Sequence, residues 1–275
     1  MHWPLPALPE RDTPLNTRCY LFGGSFDPPH LGHQVLIQGL KRMAAGSAVD
    51  HIRIMPAAQS PFKTHRDHAE AHHRLAMLEL TLETLATEEA MVPGGGEGES
   101  NGAASVSAPE GRQNSVHDTG LRAVPVVIDT YELNEGGISY SVRTIRHLQK
   151  QGLDPILVIG ADNLYGLEDW KEHTYLLENV AILVFMREGQ SLAGLEYQRG
   201  ELQKRYAVRS IELLDICPPG CASSDIRQAL IAEADLLNPE EAEQDHAESF
   251  PRNLIARCLS EPVLNYIKGH GLYQA

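Results

Sequence analysis

The chain is organised around the stretch Leu21-Phe-Gly-Gly-Ser-Phe-Asp-Pro-Pro-His-Leu-Gly-His33. Apolar residues before Gly23 and Gly24 predict a buried strand, and the apolar spacing over residues 35–40 predicts a helix after the Pro-Pro segment. Glycine has no Cβ, so another group can approach the backbone closely there, and positive φ costs little. The stretch therefore predicts a strand, a tight turn and the start of a helix.

The predicted turn has the chemistry of an anion-binding site. Amides at a helix N-terminus have no intrahelical partner and point outward with partial positive charge. His30 and His33 stand at this helix start, so both imidazoles can face one phosphate chain, and Gly32 leaves room for it. Two other interpretations stay open: a plain junction with two surface histidines, and a metal site for which the spacing supplies no third ligand. The stretch is neither a GxGxxG fingerprint nor a Walker loop.

Composition narrows the class of protein. The 275 residues are 42% hydrophobic, enough for a substantial core, and carry a net charge of −14. This acidity argues against a general nucleic-acid binder or a protein held on anionic lipid, but it is compatible with a local basic pocket for a nucleotide. No apolar run is long enough to span a membrane and no cleavable signal pattern is present, so a cytoplasmic protein without nucleic-acid or membrane partners is expected.

The four cysteines, Cys19, Cys217, Cys221 and Cys258, are too few and too dispersed for a disulfide scaffold. Cys217 and Cys221 have the spacing of half a metal site, but no second Cys/His pair with suitable spacing accompanies them. Ordinary reduced thiols and no protein metal site are therefore expected.

Strands and helices alternate along the chain. Strands are expected at residues 18–22, 51–55, 124–129, 155–159, 180–185 and 208–216, and helices at 35–45, 67–85, 141–149, 195–206, 223–231, 254–259 and 262–267. This alternation predicts an α/β fold with a doubly wound, mostly parallel sheet and a small C-terminal helical segment. Ligands of such sheets bind beyond the carboxyl ends of the strands. The residues at or just after a predicted strand end are Gly23, Gly24, Pro56, Asp129, Gly160 and Cys217.

One domain is expected over residues 18–275, preceded by an irregular extension at 1–17 that contains four prolines. Residues 88–122 are rich in Gly, Ser, Ala, Glu and Asn and have almost no large apolar side chains. Such a segment cannot bury enough surface to offset its ordering entropy, so a flexible insertion is predicted there. Residues 234–249 are acidic and predict a loop.

Two motifs resemble the signatures of the HxGH nucleotidyltransferase superfamily, and they occur in the same order along the chain. Gly23–His33 is similar to its nucleotide-binding signature, and Cys221-Ala-Ser-Ser-Asp-Ile-Arg227 is similar to its Ile-Ser-Ser-Thr-x-Ile-Arg signature. Within the superfamily, residues 18–273 resemble bacterial nicotinate-nucleotide adenylyltransferases, apart from the insertion. The supporting segments are Pro61-Phe-Lys63, Ile138-Ser-Tyr-Ser-Val-Arg-Thr144, Gly160-Ala-Asp162, Trp170 and Val263–Tyr273. The resemblance implies a Rossmann-like nucleotidyltransferase fold.

The chain departs from these signatures at several positions. Cys221 and Ala222 replace Ile and Ser, Ser224 and Ser141 replace Thr, and Phe62 replaces a residue that is often Pro or His. Serine keeps the hydroxyl of threonine, so none of these changes removes a group that the implied chemistry requires.

The resemblance implies that His30, His33 and Arg227 are catalytic. The ATP-binding residues that it implies are Gly23, Gly24, Ser25, Phe26, His30, His33, Gly160, Asp162, Ser224 and Arg227. Ser224 and Arg227 are one helical turn apart, so both can face one anion. Asp162 has an alternative role as the cap of a short helix after Gly160, and Arg227 as a surface residue.

The resemblance also implies a mononucleotide site in which Trp170 stacks on the pyridine ring and Ser141 reaches its carboxylate. The mononucleotide-binding residues that it implies are Gly24, Ser25, Lys63, Ser141, Thr144 and Trp170. Taken alone, Lys63 reads as a solvated loop lysine, and Trp170 as a core or rim aromatic.

The implied activity is adenylyl transfer from ATP to nicotinate mononucleotide, which yields deamido-NAD and pyrophosphate. Mg²⁺ is expected to be carried with ATP. Alternatives are a preference for nicotinamide mononucleotide, another acceptor such as phosphopantetheine, and a non-catalytic nucleotide sensor. The sequence does not determine the oligomeric state, and a homo-oligomer is compatible with it.

Overall fold

The computed structural model describes residues 17–61, 69–91, 122–186, 189–236 and 249–274. Within these ranges six strands form one sheet: β1 Thr17–Gly24, β2 His51–Pro56, β3 Val126–Ile128, β4 Leu153–Gly160, β5 Ala181–Phe185 and β6 Ser210–Leu214. The strand order is β3-β2-β1-β4-β5-β6, and every neighbouring pair is parallel. The predicted parallel sheet is confirmed.

Helices connect these strands and cover the sheet. They are α1 Leu31–Ala45, α2 Ala71–Met91, α3 Tyr131–Glu135, α4 Ser141–Lys150, α5 Ala161–Tyr165, α6 His173–Asn179, α7 Leu192–Arg205, α8 Ser223–Leu236, α9 Ser249–Cys258 and α10 Glu261–Gly269, with a 3₁₀ turn at Leu167–Asp169. No helix in the described ranges is long and apolar enough to cross a membrane.

Both faces of the sheet are buried, which is what makes it doubly wound. Side chains alternate along β1, so Tyr20 and Phe22 join one core cluster with Leu36 of α1. Leu21 lies on the other face and joins a second cluster with Ile145 of α4. A parallel sheet needs helices on both faces because its strands are apolar on both sides, and all five residues of β5 are buried.

Successive strands are added on one side of β1 up to β3, and from β4 onward they are added on its other side. The chain runs outward from β1 through β2 to β3, and then returns to pair β4 on the other side of β1. In this strand order the crevice for a ligand opens at the carboxyl ends of the two central strands. The Gly23–Gly24 turn therefore lies at the switch point.

The C-terminal helices form a third cluster against the start of α2. Ile226 of α8, Ile255 of α9 and Val263 of α10 pack together around Met77. This packing is the small helical segment that the sequence predicts, and it carries α8 to the side of the β1–α1 turn.

Several boundaries differ from the predicted ones. Residue 17 belongs to β1, and α1 begins at Leu31 because His30 caps it. Helix α2 continues to Met91, so residues 88–91 are helical and the predicted insertion begins too early there. Helices α8 and α9 likewise shorten the predicted acidic loop at both ends. Residues 1–16, 92–121 and 237–248 lie outside the described ranges, and the single domain stays a prediction.

Candidate active site

The turn between β1 and α1 is shaped by Gly24 and Phe26. Phe26 has a φ of 47° and its ring is buried, edge-on to Phe22 at a centroid distance of 5.5 Å. A Cβ on Gly24 would lie 3.1 Å from the Phe26 ring, whereas one on Gly23 would meet only Met55 O at 3.9 Å. Gly24 is thus the glycine that this turn requires.

His30 and His33 lie together at the start of α1. Their rings are stacked with centroids 3.7 Å apart, and His33 also packs 4.9 Å from Phe26. The backbone N–H of His30 donates to Nδ1 of His33 at 3.1 Å. Because Nδ1 accepts, a neutral His33 carries its proton on Nε2, so Nε2 is a hydrogen-bond donor. The structure brings the two imidazoles together, and their common contact with a phosphate chain stays a prediction.

Gly32 has a role that its position in the motif alone does not show. A Cβ there would lie 3.0 Å from Cε1 and Nδ1 of His30, and 3.4 Å from the carbonyl oxygen of Pro219. Gly32 therefore makes room for the His30 ring and for the loop before α8.

The second predicted motif docks directly on the first. Ser223 Oγ donates to the carbonyl of Pro28 at 3.0 Å, and Arg227 Nη1 donates to the carbonyl of Asp27 at 2.6 Å. The Arg227 side chain is only 14% exposed, and its Nε is buried without a hydrogen-bond partner in the described ranges. Arg227 is therefore not a surface residue. Ser224 is exposed, and its hydroxyl donates to Asp225.

Gly160 and Asp162 lie at the carboxyl end of β4. Gly160 is the N-cap of α5, and Asp162 is the second residue of that helix, where its charge complements the helix dipole. Gly160 rather than Asp162 therefore stands at the capping position, and the exposed Asp162 carboxylate accepts a hydrogen bond from Gln190.

Gly24 and Ser25 lie in the β1–α1 turn, whereas the predicted mononucleotide residues Ser141 and Thr144 belong to α4. Ser141 is its first residue, and Trp170 is half-buried against the second core cluster. Thr144 is buried and donates to the Glu132 carboxylate, whose pKa is raised by burial, with the Thr144 hydrogen bond opposing. Thr144 thus serves the protein interior, because it lies on the apolar face of α4. Lys63 lies outside the described ranges.

Two hydrogen bonds tie the segment before α4 to the loop after β2. Ser139 Oγ accepts from the backbone N–H of Ala58 at 3.0 Å, and the Ser139 N–H donates to the carbonyl of Gln59 at 2.8 Å. The loop after β2 is joined in turn to the first motif, because the Ala57 N–H donates to the Gly24 carbonyl at 2.8 Å. The turn that carries the first motif and the segment before α4 are therefore connected through the loop after β2.

A buried polar network braces the turn after β1, and it consists of Asp27, Arg74 and Tyr273. Sequence patterns did not predict it. Asp27 is fully buried, and its Oδ1 accepts from the Tyr273 hydroxyl at 2.6 Å and from the Ala69 N–H at 3.0 Å. Burial raises the pKa of Tyr273, and the charge of Asp27 raises it further. Asp27 lies within the stretch Leu21–His33, but Tyr273 is distant in sequence, so no local pattern indicates this contact.

The cysteine prediction is wrong for one pair, because Cys221 and Cys258 form a disulfide with Cα atoms 5.8 Å apart. Packing of α9 on α8 brings them together, which spacing along the chain cannot show. Cys19 and Cys217 are free; burial raises the pKa of Cys19 to about 12, whereas Cys217 is exposed. In the described ranges no group of three or more His, Cys, Asp or Glu residues could hold a metal ion.

A glycine turn, paired imidazoles and a helix N-terminus at the switch point of a doubly wound sheet define a nucleotide-binding α/β protein. The chain belongs to the cytidylyltransferase-like family, whose model matches residues 21–229.

The chain is also similar to named relatives, and it shares its fold with a solved structure. A probable nicotinate-nucleotide adenylyltransferase of Rhodopirellula baltica is 31% identical over 62% of this chain and 61% of its own length. Another, from Symbiobacterium thermophilum, is 26% identical over 93% of this chain and 95% of its own. The structure of Plasmodium falciparum nicotinic acid mononucleotide adenylyltransferase complexed with NaAD covers 94% of this chain and 98% of its own, with a TM-score of 0.59 and 13% identity. At that identity the likeness supports the fold alone.

Proposed function

We propose that this chain transfers the adenylyl group of ATP to nicotinate mononucleotide, forming deamido-NAD and pyrophosphate. The observation that carries the proposal is the docking of Ser223 and Arg227 on the turn that presents His30 and His33. Two sequence motifs almost 200 residues apart thereby converge on one anion-binding edge. The names of the relatives agree with the proposed activity.

The reaction needs placement and charge stabilisation rather than a protein base. The mononucleotide phosphate is already anionic, and its oxygen attacks the α-phosphorus of ATP while the bond to the β-phosphate oxygen breaks and pyrophosphate leaves. Catalysis then comes from holding two polyanions in line and stabilising the charge that develops. Nε2–H of His33 and the Arg227 guanidinium supply that stabilisation, aided by the N-terminus of α1.

ATP enters as its magnesium complex in this proposal. Mg²⁺ prefers oxygen ligands and commonly bridges substrate phosphates with few protein contacts. The ion neutralises part of the triphosphate charge. Recognition of the remaining phosphate charge falls to the cationic side chains and backbone amides of the site.

Positive charge near the start of α4 favours the acid over the amide as substrate. Lys171 Nζ lies 4.6 Å and the Arg143 guanidinium 5.2 Å from the Tyr140 ring centroid. Tyr140 is the N-cap of α4 and precedes Ser141. Two cations and a helix N-terminus attract the carboxylate of nicotinate, which nicotinamide lacks.

The assay that tests this function follows pyrophosphate release from Mg-ATP with each acceptor separately. We expect kcat/KM for nicotinate mononucleotide to exceed that for nicotinamide mononucleotide by at least about 10-fold, because a charged pocket discriminates against the neutral amide. Phosphopantetheine serves as the acceptor control. Equal or reversed preference would overturn the assignment of substrate, and ATP binding without release from any acceptor would favour a nucleotide sensor.

Gly32→Ala is expected to impair adenylyl transfer without unfolding the protein. The new Cβ would lie 3.0 Å from the His30 ring, so the imidazole must shift. We expect kcat/KM to fall at least about 10-fold, since small misplacements at a reacting centre are costly. Stability should change by less than about 1 kcal/mol, because alanine favours the helix and offsets the crowding.

Gly200→Ala in α7 is the matched control for this substitution. It also adds a methyl group to a helical glycine, but nothing lies within 4 Å of the new Cβ. Steady-state kinetics and thermal unfolding should be measured on both variants. Equal activity of the two would show that the His30 position is unimportant.

A further inference from the structure

Arg74 lies in the first turn of α2, and its side chain donates hydrogen bonds to backbone carbonyls of separate segments. The residue is 5% exposed. Its Nη1 donates to the carbonyls of Ser25 at 2.8 Å and Ala57 at 2.7 Å. Its Nε donates to the carbonyl of Ala69 at 3.2 Å. The planar guanidinium thus acts as a fork that fixes several chain segments at once.

The two closest of these carbonyls belong to the two halves of the proposed site. Ser25 follows Gly24 in the turn that leads to His30, and Ala57 follows β2. Ala58, the next residue along, is hydrogen-bonded through its N–H to Ser139 before α4. Arg74 therefore sets the spacing between the phosphate-binding turn and the segment that leads to the mononucleotide residues.

Arg74 also balances the charge of Asp27. Asp27 is a fully buried carboxylate beside the phosphate-binding turn, where an unbalanced negative charge would repel the triphosphate. Arg227 lies 3.5 Å from one of its oxygens, and Tyr273 donates to the other. Burial lowers the pKa of Arg74 and the charge of Asp27 opposes that shift, so the guanidinium adds positive charge in the neighbourhood of this carboxylate. This edge of the sheet is arranged to hold Asp27 without repelling an anion.

We propose that Arg74 and Tyr273 are positioning residues for adenylyl transfer, acting through the Ser25 carbonyl and the Asp27 carboxylate. The inference rests on the proposed function. Neither side chain needs to touch substrate: Arg74 holds the turn at the correct distance from the loop after β2, and Tyr273 fixes the orientation of Asp27. The two phosphates are then held in line for attack.

The first test compares Arg74→Lys with Arg209→Met. Lysine keeps the charge at position 74, but its single ammonium group cannot reproduce the planar set of N–H donors by which Nη1 contacts Ser25 and Ala57 while Nε contacts Ala69. Arg209 is a matched control at the opposite edge of the sheet, where its half-buried guanidinium donates to the Asp154 carboxylate and the Asn179 carbonyl. We expect Arg74→Lys to lower kcat about 10- to 100-fold with both KM values within about three-fold. Arg209→Met should keep kcat within about two-fold even if it is equally destabilised.

Chemical rescue separates positioning from general stabilisation. Arg74→Ala leaves a space that a free guanidinium ion can enter, and millimolar guanidinium, far below denaturing amounts, should restore part of the lost kcat. It should not raise kcat for wild type or Arg209→Met. Absence of rescue, together with a loss in Arg74→Lys no greater than in Arg209→Met, would overturn the inference.

Tyr273→Phe tests the other side of the network if the Arg74 variants fail to fold. It removes only the hydroxyl that donates to Asp27, so we expect kcat to fall about three- to 10-fold with little change in KM. Tyr266→Phe is the control, because that hydroxyl instead contacts His73 at 3.0 Å. An unchanged kcat in Tyr273→Phe would contradict the proposal.

Wild-type activity distinguishes failure of the proposed function from failure of the positioning roles. If the wild type releases no pyrophosphate with any acceptor, the proposed function fails and this inference fails with it. If the wild type is active and Arg74→Lys and Tyr273→Phe match it, only the positioning roles are overturned.

Discussion

His33→Ala is expected to lower kcat for adenylyl transfer by about 100- to 1,000-fold, with the KM for the mononucleotide within about three-fold. His33 Nδ1 accepts from the His30 N–H, so the donor of a neutral imidazole is at Nε2, and the proposed function uses this donor on a phosphate oxygen. Charge develops on that phosphate in the transition state, so the donor acts mainly on kcat. Steady-state kinetics with pyrophosphate detection gives both constants.

Two further variants make this result interpretable. His33→Gln keeps an oxygen that can accept from the N–H of His30, as glutamine does at the third position of a helix, and its amide N–H groups can take the place of the imidazole Nε2–H donor. It should therefore be as stable as wild type and keep more turnover than His33→Ala. His51→Ala is the control, because His51 begins β2 at the opposite edge of the sheet. Near-normal turnover in His33→Ala would show that Nε2–H has no part in catalysis.

The largest expected effect on stability comes from the disulfide. Cys221 and Cys258 are separated by 37 residues, and closing a loop of that length stabilises the folded state by about 4 kcal/mol, chiefly by restricting the unfolded chain. Cys221→Ser or Cys258→Ser should therefore lower the free energy of unfolding by about that amount. Denaturant unfolding without reductant measures the difference.

Thiol titration provides the control for the disulfide. The denatured chain should show the two thiols of Cys19 and Cys217 before reduction and the thiols of all four cysteines afterwards. Cys217→Ser changes an exposed residue and should alter stability by less than about 0.5 kcal/mol. Titration of all four thiols in protein never exposed to reductant would rule out the bond.

The sequence predicted the fold well because its strong signals are local. The glycine pair after an apolar run marks the end of β1, and the alternation of strands with helices determines a parallel sheet with both faces covered. The errors concern short or terminal pieces. Helix α3 has only five residues and α6 only seven, too few for a clear helical period.

The candidate site was predicted unevenly for the same reason. His30 and His33 are three residues apart, so the start of one helix is enough to bring them together. The family resemblance implies that Thr144 binds the mononucleotide, but Thr144 lies with Val142, Ile145 and Leu148 among the buried residues of α4. Nothing near Arg74 along the chain indicates the carbonyls that it contacts.

The sheet, the turn that presents two histidines and the second motif at Cys221–Arg227 can each be recognised in the sequence, because each depends on neighbours along the chain. How these parts meet follows from tertiary packing alone. Asp27 lies 200 residues from Arg227 and 246 from Tyr273, and the disulfide joins helices whose packing brings the cysteines together. Contacts over such separations depend on how whole elements pack, and no local pattern of residues specifies them.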